Sequence, residues 1–226
     1  MPEPPRRRRQ TGLLVAAWIV GLVLVVACGA GTWLVLADRE TAPGAPVLPG
    51  TDGLASRADD AVPVTAAELF GTDTVTVGGT EYRVLGTEEP ADCGSAAAEP
   101  MAGVLAEAGC SQVVRATVIT TDGDVPATVG VVNLVDSGAA HRVRDRLASG
   151  DGGGFTALRC DGGAEKLGLG PTVLGFNVRG HYLLYTVVGR NDGTEPSRDD
   201  DTVAAVVSDL VDVYLVDRLE ERRSAG

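Results

Sequence analysis

Beyond the first forty residues, chemistry could draw on two histidines, one glycine run, one crowd of carboxylates and three cysteines. A catalytic histidine needs a nucleophile in reach and a partner that orients its ring. His141 stands among Arg142, Arg144 and Arg146, and His181 follows Gly180 in a turn signal, so both read as surface histidines. Two histidines so placed make no metal site. Gly150, Gly152, Gly153 and Gly154 follow a helical pattern and precede a strand pattern. A phosphate cradle needs the strand first and the helix after, so this run reads as a flexible connection. Gly168-Leu169-Gly170 lacks the rest of any nucleotide fingerprint.

The densest carboxylate group runs from Asp192 through Glu195 to Asp199, Asp200 and Asp201. A calcium loop alternates its oxygen ligands around a fixed glycine and ends on a bidentate glutamate, and this spacing does neither. The last three aspartates also match the start of a helix, where carboxylates favour the dipole. No Gly-x-Ser-x-Gly nucleophile motif occurs. The expectation is a protein that is not an enzyme, with no cofactor and no metal. Its catalytic rival is an envelope hydrolase built on the Asp192 to Asp201 loop.

Cys93, Cys110 and Cys160 form an odd set, so one bridge leaves one thiol over. Loop-closure entropy gives about 3 kcal/mol for Cys93–Cys110 and about 4 kcal/mol for Cys110–Cys160, too close to choose between them. Proximity in sequence favours Cys93–Cys110, which flanks a helix, and makes Cys160 a buried free thiol.

The elements that must position these groups follow from periodicity. Thr65-Ala66-Ala67-Glu68 fits a capping box. Val75 and Val77, then Tyr82 and Val84, alternate around Gly78-Gly79 as a hairpin. Residues 100–108 space Met101, Val104, Leu105 and Ala108 along one helical face. Residues 112–121 and 127–135 read as antiparallel strands, and a helix from Asp136 or Ser137 stops at Gly150. Residues 155–160 read as a short lone strand. Residues 172–178 and 181–188 form a hairpin apolar on both faces, which places the pair centrally in the sheet. A last helix begins at Asp199–Asp201 and carries Val203, Val206, Val207, Leu210, Val211 and Tyr214 at helical spacing. The order ββα, ββα, strand, ββα predicts an α+β fold with helices packed on one face of a mostly antiparallel sheet.

Ahead of this domain, residues 11–37 carry no charge and follow Arg6-Arg7-Arg8-Arg9. As a helix they would measure about 40 Å, against a hydrocarbon core of about 30 Å. Arginine is retained on the cytoplasmic side. The expected layout is a cytoplasmic basic tail (1–11), a transmembrane signal anchor (12–37), a Pro/Gly-rich mobile tether (38–64) and an extracytoplasmic domain (65–223). Leu24-Val25-Val26-Ala27-Cys28 also resembles a lipobox, in which Cys28 is acylated after cleavage. The apolar run continues past Cys28 through Leu36, which favours the anchor.

Residues 1–11 hold four Arg and one Glu; from residue 38 onward fifteen Arg or Lys face thirty Asp or Glu, giving the formal net charge of −12 overall. An outer domain at −15 repels polyanions, which argues against nucleic acid as a partner. Lys166 is the one lysine, and arginine supplies all the other basic side chains. In residue usage and layout the chain resembles single-pass envelope proteins of high-GC Gram-positive bacteria. That resemblance rests on no specific motif and carries no catalytic residue over. The expected role is a non-catalytic binding or accessory module that is held in the membrane by residues 12–37 and meets an envelope protein. A ligand-binding lipoprotein acylated at Cys28 is the alternative beside the hydrolase.

Overall fold

The computed structural model describes residues 53–90, 92–150 and 152–225. The basic tail, the 12–37 anchor, Cys28 and residues 38–52 of the tether lie outside them. Among the described residues no helix is long and apolar enough to cross a membrane.

The order is α1 (Ala66–Phe70), β1 (Thr74–Val77), β2 (Thr80–Glu88), a 3-10 turn (Cys93–Ala96), α2 (Met101–Glu107), β3 (Gln112–Thr120), β4 (Pro126–Asn133) and α3 (Ser137–Ser149). Then follow β5 (Val173–Arg179), β6 (Tyr182–Val188) and a long helical stretch. That stretch comprises α4 (Asp201–Val207), a π-helical segment (Ser208–Tyr214) and α5 (Leu215–Ala225). The six strands form one antiparallel sheet in the order β1-β2-β3-β4-β6-β5. The class is α+β, built on that sheet.

Side chains alternate faces along a strand, and here both faces are buried. Val114, Ala116 and Val118 of β3, Ala127, Val129 and Val131 of β4, and Tyr182, Leu184 and Val188 of β6 pack against α1 and the C-terminal helical stretch. Val113, Val132, Leu183, Tyr185 and Val187 point the other way, onto the 3-10 turn, α2 and α3. The helices therefore cover both faces, not one. The strands announce this: a near-continuous apolar run is what a doubly covered strand needs. Gly130 belongs to the second face, where a Cβ would stand 2.6 Å from the Tyr185 ring. Its absence lets that ring lie flat against Phe155, with centroids 3.8 Å apart.

The β5–β6 hairpin is not central as a pair. β6 is interior, but β5 is an edge strand. Its outer groups are capped locally: Arg198 donates to the Leu174 carbonyl, and Asn177 Oδ1 accepts from Val178 N–H at 2.7 Å. Such caps blunt an edge against further pairing.

Residues 156–160 are not a strand. With both sheet edges already taken by β1 and β5, the segment crosses the second face, and side chains beneath satisfy its backbone. Thr128 Oγ1 accepts from Leu158 N–H at 2.9 Å, Thr117 donates to the Leu158 carbonyl, and Arg115 donates to the Thr156 carbonyl at 3.2 Å.

The helix ends obey the sequence signals. Thr65 Oγ1 accepts from Glu68 N–H, one half of the expected capping box, while the Glu68 carboxylate turns to Arg222; Asp136 caps α3 at Ala139 N–H. Asp200 caps α4 through Thr202 and Val203, and Gly150 ends α3 with φ of 77°. The π-helical segment carries no such signal. It turns three polar side chains of the last stretch onto older parts of the fold. Asp209 accepts from Tyr82 OH at 2.7 Å, Asp212 accepts from Asn177 at 2.8 Å, and Tyr214 donates to the Leu69 carbonyl.

The described part of the expected tether is docked rather than extended. Leu54 and Val64 are buried in the first core. Ser56 bridges to Asp136, and Arg57 donates from its backbone to Val135 and from Nη1 to the Gly109 carbonyl. Proline and glycine deny this segment a helix, but they leave its apolar side chains free to bury.

Candidate functional site

At the end of the sheet where β6 finishes and β5 begins, two loops enclose a cleft of about 390 Å³. Residues 166–171 form one wall, residues 189–194 the other, and Pro126 the floor. Short local bonds shape the first wall: Leu167 N–H donates to the Ala164 carbonyl and Leu169 N–H to the Lys166 carbonyl. Leu167 is buried as its anchor, only 2.8 Å from where a Cβ on Gly189 would sit. Gly168 takes a positive φ of 79°, and the turn lifts Leu169 into solvent, where it is 67% exposed.

The second wall is held by Asn191. Its backbone N–H donates to the Asp124 carbonyl at 3.0 Å, and its side-chain amide donates to the Gly123 and Gly163 carbonyls at 2.8 and 2.7 Å. One side chain thus ties the β3–β4 turn, the 163 loop and the cleft wall together. Asn191→Ala is expected to raise hydrogen exchange in residues 189–194 and 161–168 while β3 and β4 stay protected. Exchange mass spectrometry of those peptides reads the outcome. The cost is about 1 kcal/mol per lost bond.

The carboxylates singled out in the sequence serve this wall and the next helix. Asp192 Oδ1 accepts from the Thr194 hydroxyl at 2.7 Å and from Thr194 N–H at 2.9 Å, bonds that hold its carboxyl below the usual range. Asp200 accepts from Thr202 and Val203 N–H and pairs with Arg190; the bond from Val203 leads in lowering its carboxyl. Among the described residues no three His, Cys, Asp or Glu side chains gather as a metal cage. Three charged side chains line the cleft: Arg190, which pairs with Asp200, the Asp192 carboxylate, and the Lys166 ammonium, which has no ion-pair partner among the described residues, although its charge acts on the neighbouring Glu165. The chemistry on offer is recognition: an apolar knob, a cation and loop backbone.

The other sequence candidates lie apart from it. Cys93 and Cys110 stand at disulfide distance, with Cα atoms 6.3 Å apart, and tie the 3-10 turn to the end of α2. Cys160 is a free, half-buried thiol, and burial pushes its pKa up, the opposite of what a nucleophile needs. His141 is exposed on α3, with Nδ1 2.7 Å from its own Ser137 carbonyl. Gly152 and Gly153 are packed against Arg146, Met101 and Pro100, so the glycine run is a tight junction, not a flexible connection.

His181 departs furthest from the sequence reading. It is wholly buried, because residue 54 and its neighbours fold over it. Its Nδ1 and its backbone N–H both meet the Leu54 carbonyl, at 2.8 and 2.7 Å. Next to it lies an ionic knot: Arg222 of α5 donates to Asp60 at 3.1 Å, to both Glu68 oxygens at 2.8 Å and to the Val62 carbonyl. Tyr182 OH donates to Asp60 at 2.6 Å. Burial opposes the Arg222 charge, yet the bonds to Glu68 and Asp60 raise its pKa above the ordinary value.

No family model matches the chain, and neither the curated proteins nor the solved structures contain a match. The site therefore rests on its geometry. Sequence reasoning passed over Leu169 and Lys166. The signal was present as a lone leucine between glycines beside the single lysine, but exposure is not written in a sequence.

Proposed function

We propose that this chain is a non-catalytic binding or accessory module of the cell envelope, anchored in the membrane by residues 12–37 with its α+β domain outside the cell. It meets a protein partner through the cleft beneath Leu169. The observation that carries this reading is a 67% exposed leucine on the same loop as a lysine without an ion-pair partner among the described residues, facing a wall braced by Asn191. Rigid loops presenting an apolar knob and a charge are how scaffolds recognise partners. The non-catalytic part is supported by where Asp192 and Asp200 spend their oxygens, on their own turn and helix start.

Crosslinking in cells followed by capture of the full chain is expected to enrich a specific envelope protein. Leu169→Asp should lower that enrichment at least about tenfold, as loss of a central apolar contact does. Equal recovery by wild type and Leu169→Asp would remove the cleft from the proposal. The orientation has its own check: protease added to intact, wall-stripped cells should digest the C-terminal domain.

A further inference from the structure

We infer that residues 54–57 form an acid-released strap, latched by His181 and set free when its Nε2 takes a proton. This goes beyond the binding role and does not rest on it. The strap lies across two places. Leu54 offers its carbonyl to His181, and Ala55 offers its carbonyl to Ser137 N–H at 2.9 Å. Arg57 N–H returns to the Val135 carbonyl at 3.2 Å. Gly180 permits the approach: its φ is 60°, and a Cβ there would stand 2.1 Å from the Leu54 oxygen.

A carbonyl only accepts, so Nδ1 of His181 carries the hydrogen and Nε2 holds a lone pair. Among the described residues that buried Nε2 has no hydrogen-bond partner. Protonation would place a cation there with nothing to receive its new hydrogen. The charged groups facing the ring come from two elements: Arg57 and Asp60 from the strap side, and Arg222 from α5. The Tyr182 ring lies against it, with centroids 3.9 Å apart. Two cations thus face one anion, and Asp60 is already engaged by Arg222 and Tyr182. An imidazolium finds no free carboxylate, so opening the strap to water is its relief.

Burial is the main cause holding the His181 pKa below its ordinary value of 6.5. A group depressed in the folded state stabilises it above the unfolded value, and that stabilisation is lost as pH falls through the folded one. Docking of the strap is therefore complete above pH 6.5 and weakens below it.

Hydrogen exchange on the full-length chain, corrected for the intrinsic pH dependence of exchange, tests this at the amides of Arg57, Ser137 and His181. Their protection should fall by up to about tenfold per pH unit between the ordinary and the latched value, while β3 and β4 stay protected. His181→Asn keeps a donor where Nδ1 stood but cannot take a proton, and its strap protection should be flat over that range. Gly180→Ala should give the undocked pattern at neutral pH. A flat response in the wild type, or an equal fall in His181→Asn, would overturn the inference. Should His181→Asn fail to fold, the His181 ring resonances of the wild type decide. They must titrate with the same midpoint as the strap amides, and a separate midpoint would overturn it equally.

Discussion

Replacing Arg222 with methionine should lower the stability of the domain by about 3 kcal/mol, the cost of leaving buried charges without their partner. For a domain of this size that is a fall in Tm of about 10 °C. The reason is the traffic through one guanidinium. Arg222 and Asp60 side chains are only 12% and 13% exposed, and the same guanidinium also takes both oxygens of Glu68 and the Val62 carbonyl. Methionine keeps the aliphatic stem and removes only the fork. The loss would then be electrostatic and hydrogen-bonded rather than a cavity effect. Urea unfolding of Arg222→Met, Asp60→Asn and the double variant measures it. A strong coupling energy between the two sites is expected, because each single change removes the charge partner that the other residue meets in this buried site, while Glu68 stays with Arg222 and Tyr182 with Asp60. Additive losses would mean that water screens the pair and that the knot holds little.

Cys93→Ser with Cys110→Ser is expected to cost about 3 kcal/mol, since the bridge closes a short loop that the unfolded chain would otherwise explore. The loop spans a sequence separation of 17 and holds the 3-10 turn and α2. Both elements are short, seven residues or fewer, and neither is stable alone. Exchange should therefore rise first across residues 93–108 and only later in the sheet. A reductant acting on the wild type should reproduce the effect, and Cys160→Ser should not. If Cys160→Ser proves as damaging as the double variant, the bridge is not the source of the stability.

These two losses fall at opposite faces of one sheet. Arg222 fastens α1, α5 and residues 60–62 on the first face, while the bridge fastens α2 on the second. The cleft beneath Leu169 is tied instead to the β3–β4 turn through Asn191. Neither variant touches it directly, so a Leu169 binding defect remains separable from loss of the fold.

The amino-acid sequence by itself determined most of the elements and their ends. Gly78-Gly79 closed the first hairpin, Asp136 and Asp200 capped their helices, and Gly150 stopped one, because each acts on backbone groups two to four residues away. Cys93 and Cys110 were legible for the same reason, a short separation. What the sequence did not contain was coverage. His181 looked like a turn residue until Leu54, 127 positions earlier, closed over it. The described end of the stretch read as a tether was docked by Arg222, 162 positions from Asp60. The second layer of helices, the edge position of β5 and the crossing of residues 156–160 likewise depended on which distant elements pack on each face and edge. Periodicity records that a residue will be buried, but what buries it is a non-local choice made by packing. The exposed Leu169 is the converse case: leucines are mostly buried, and the turn at Gly168 left this one facing water.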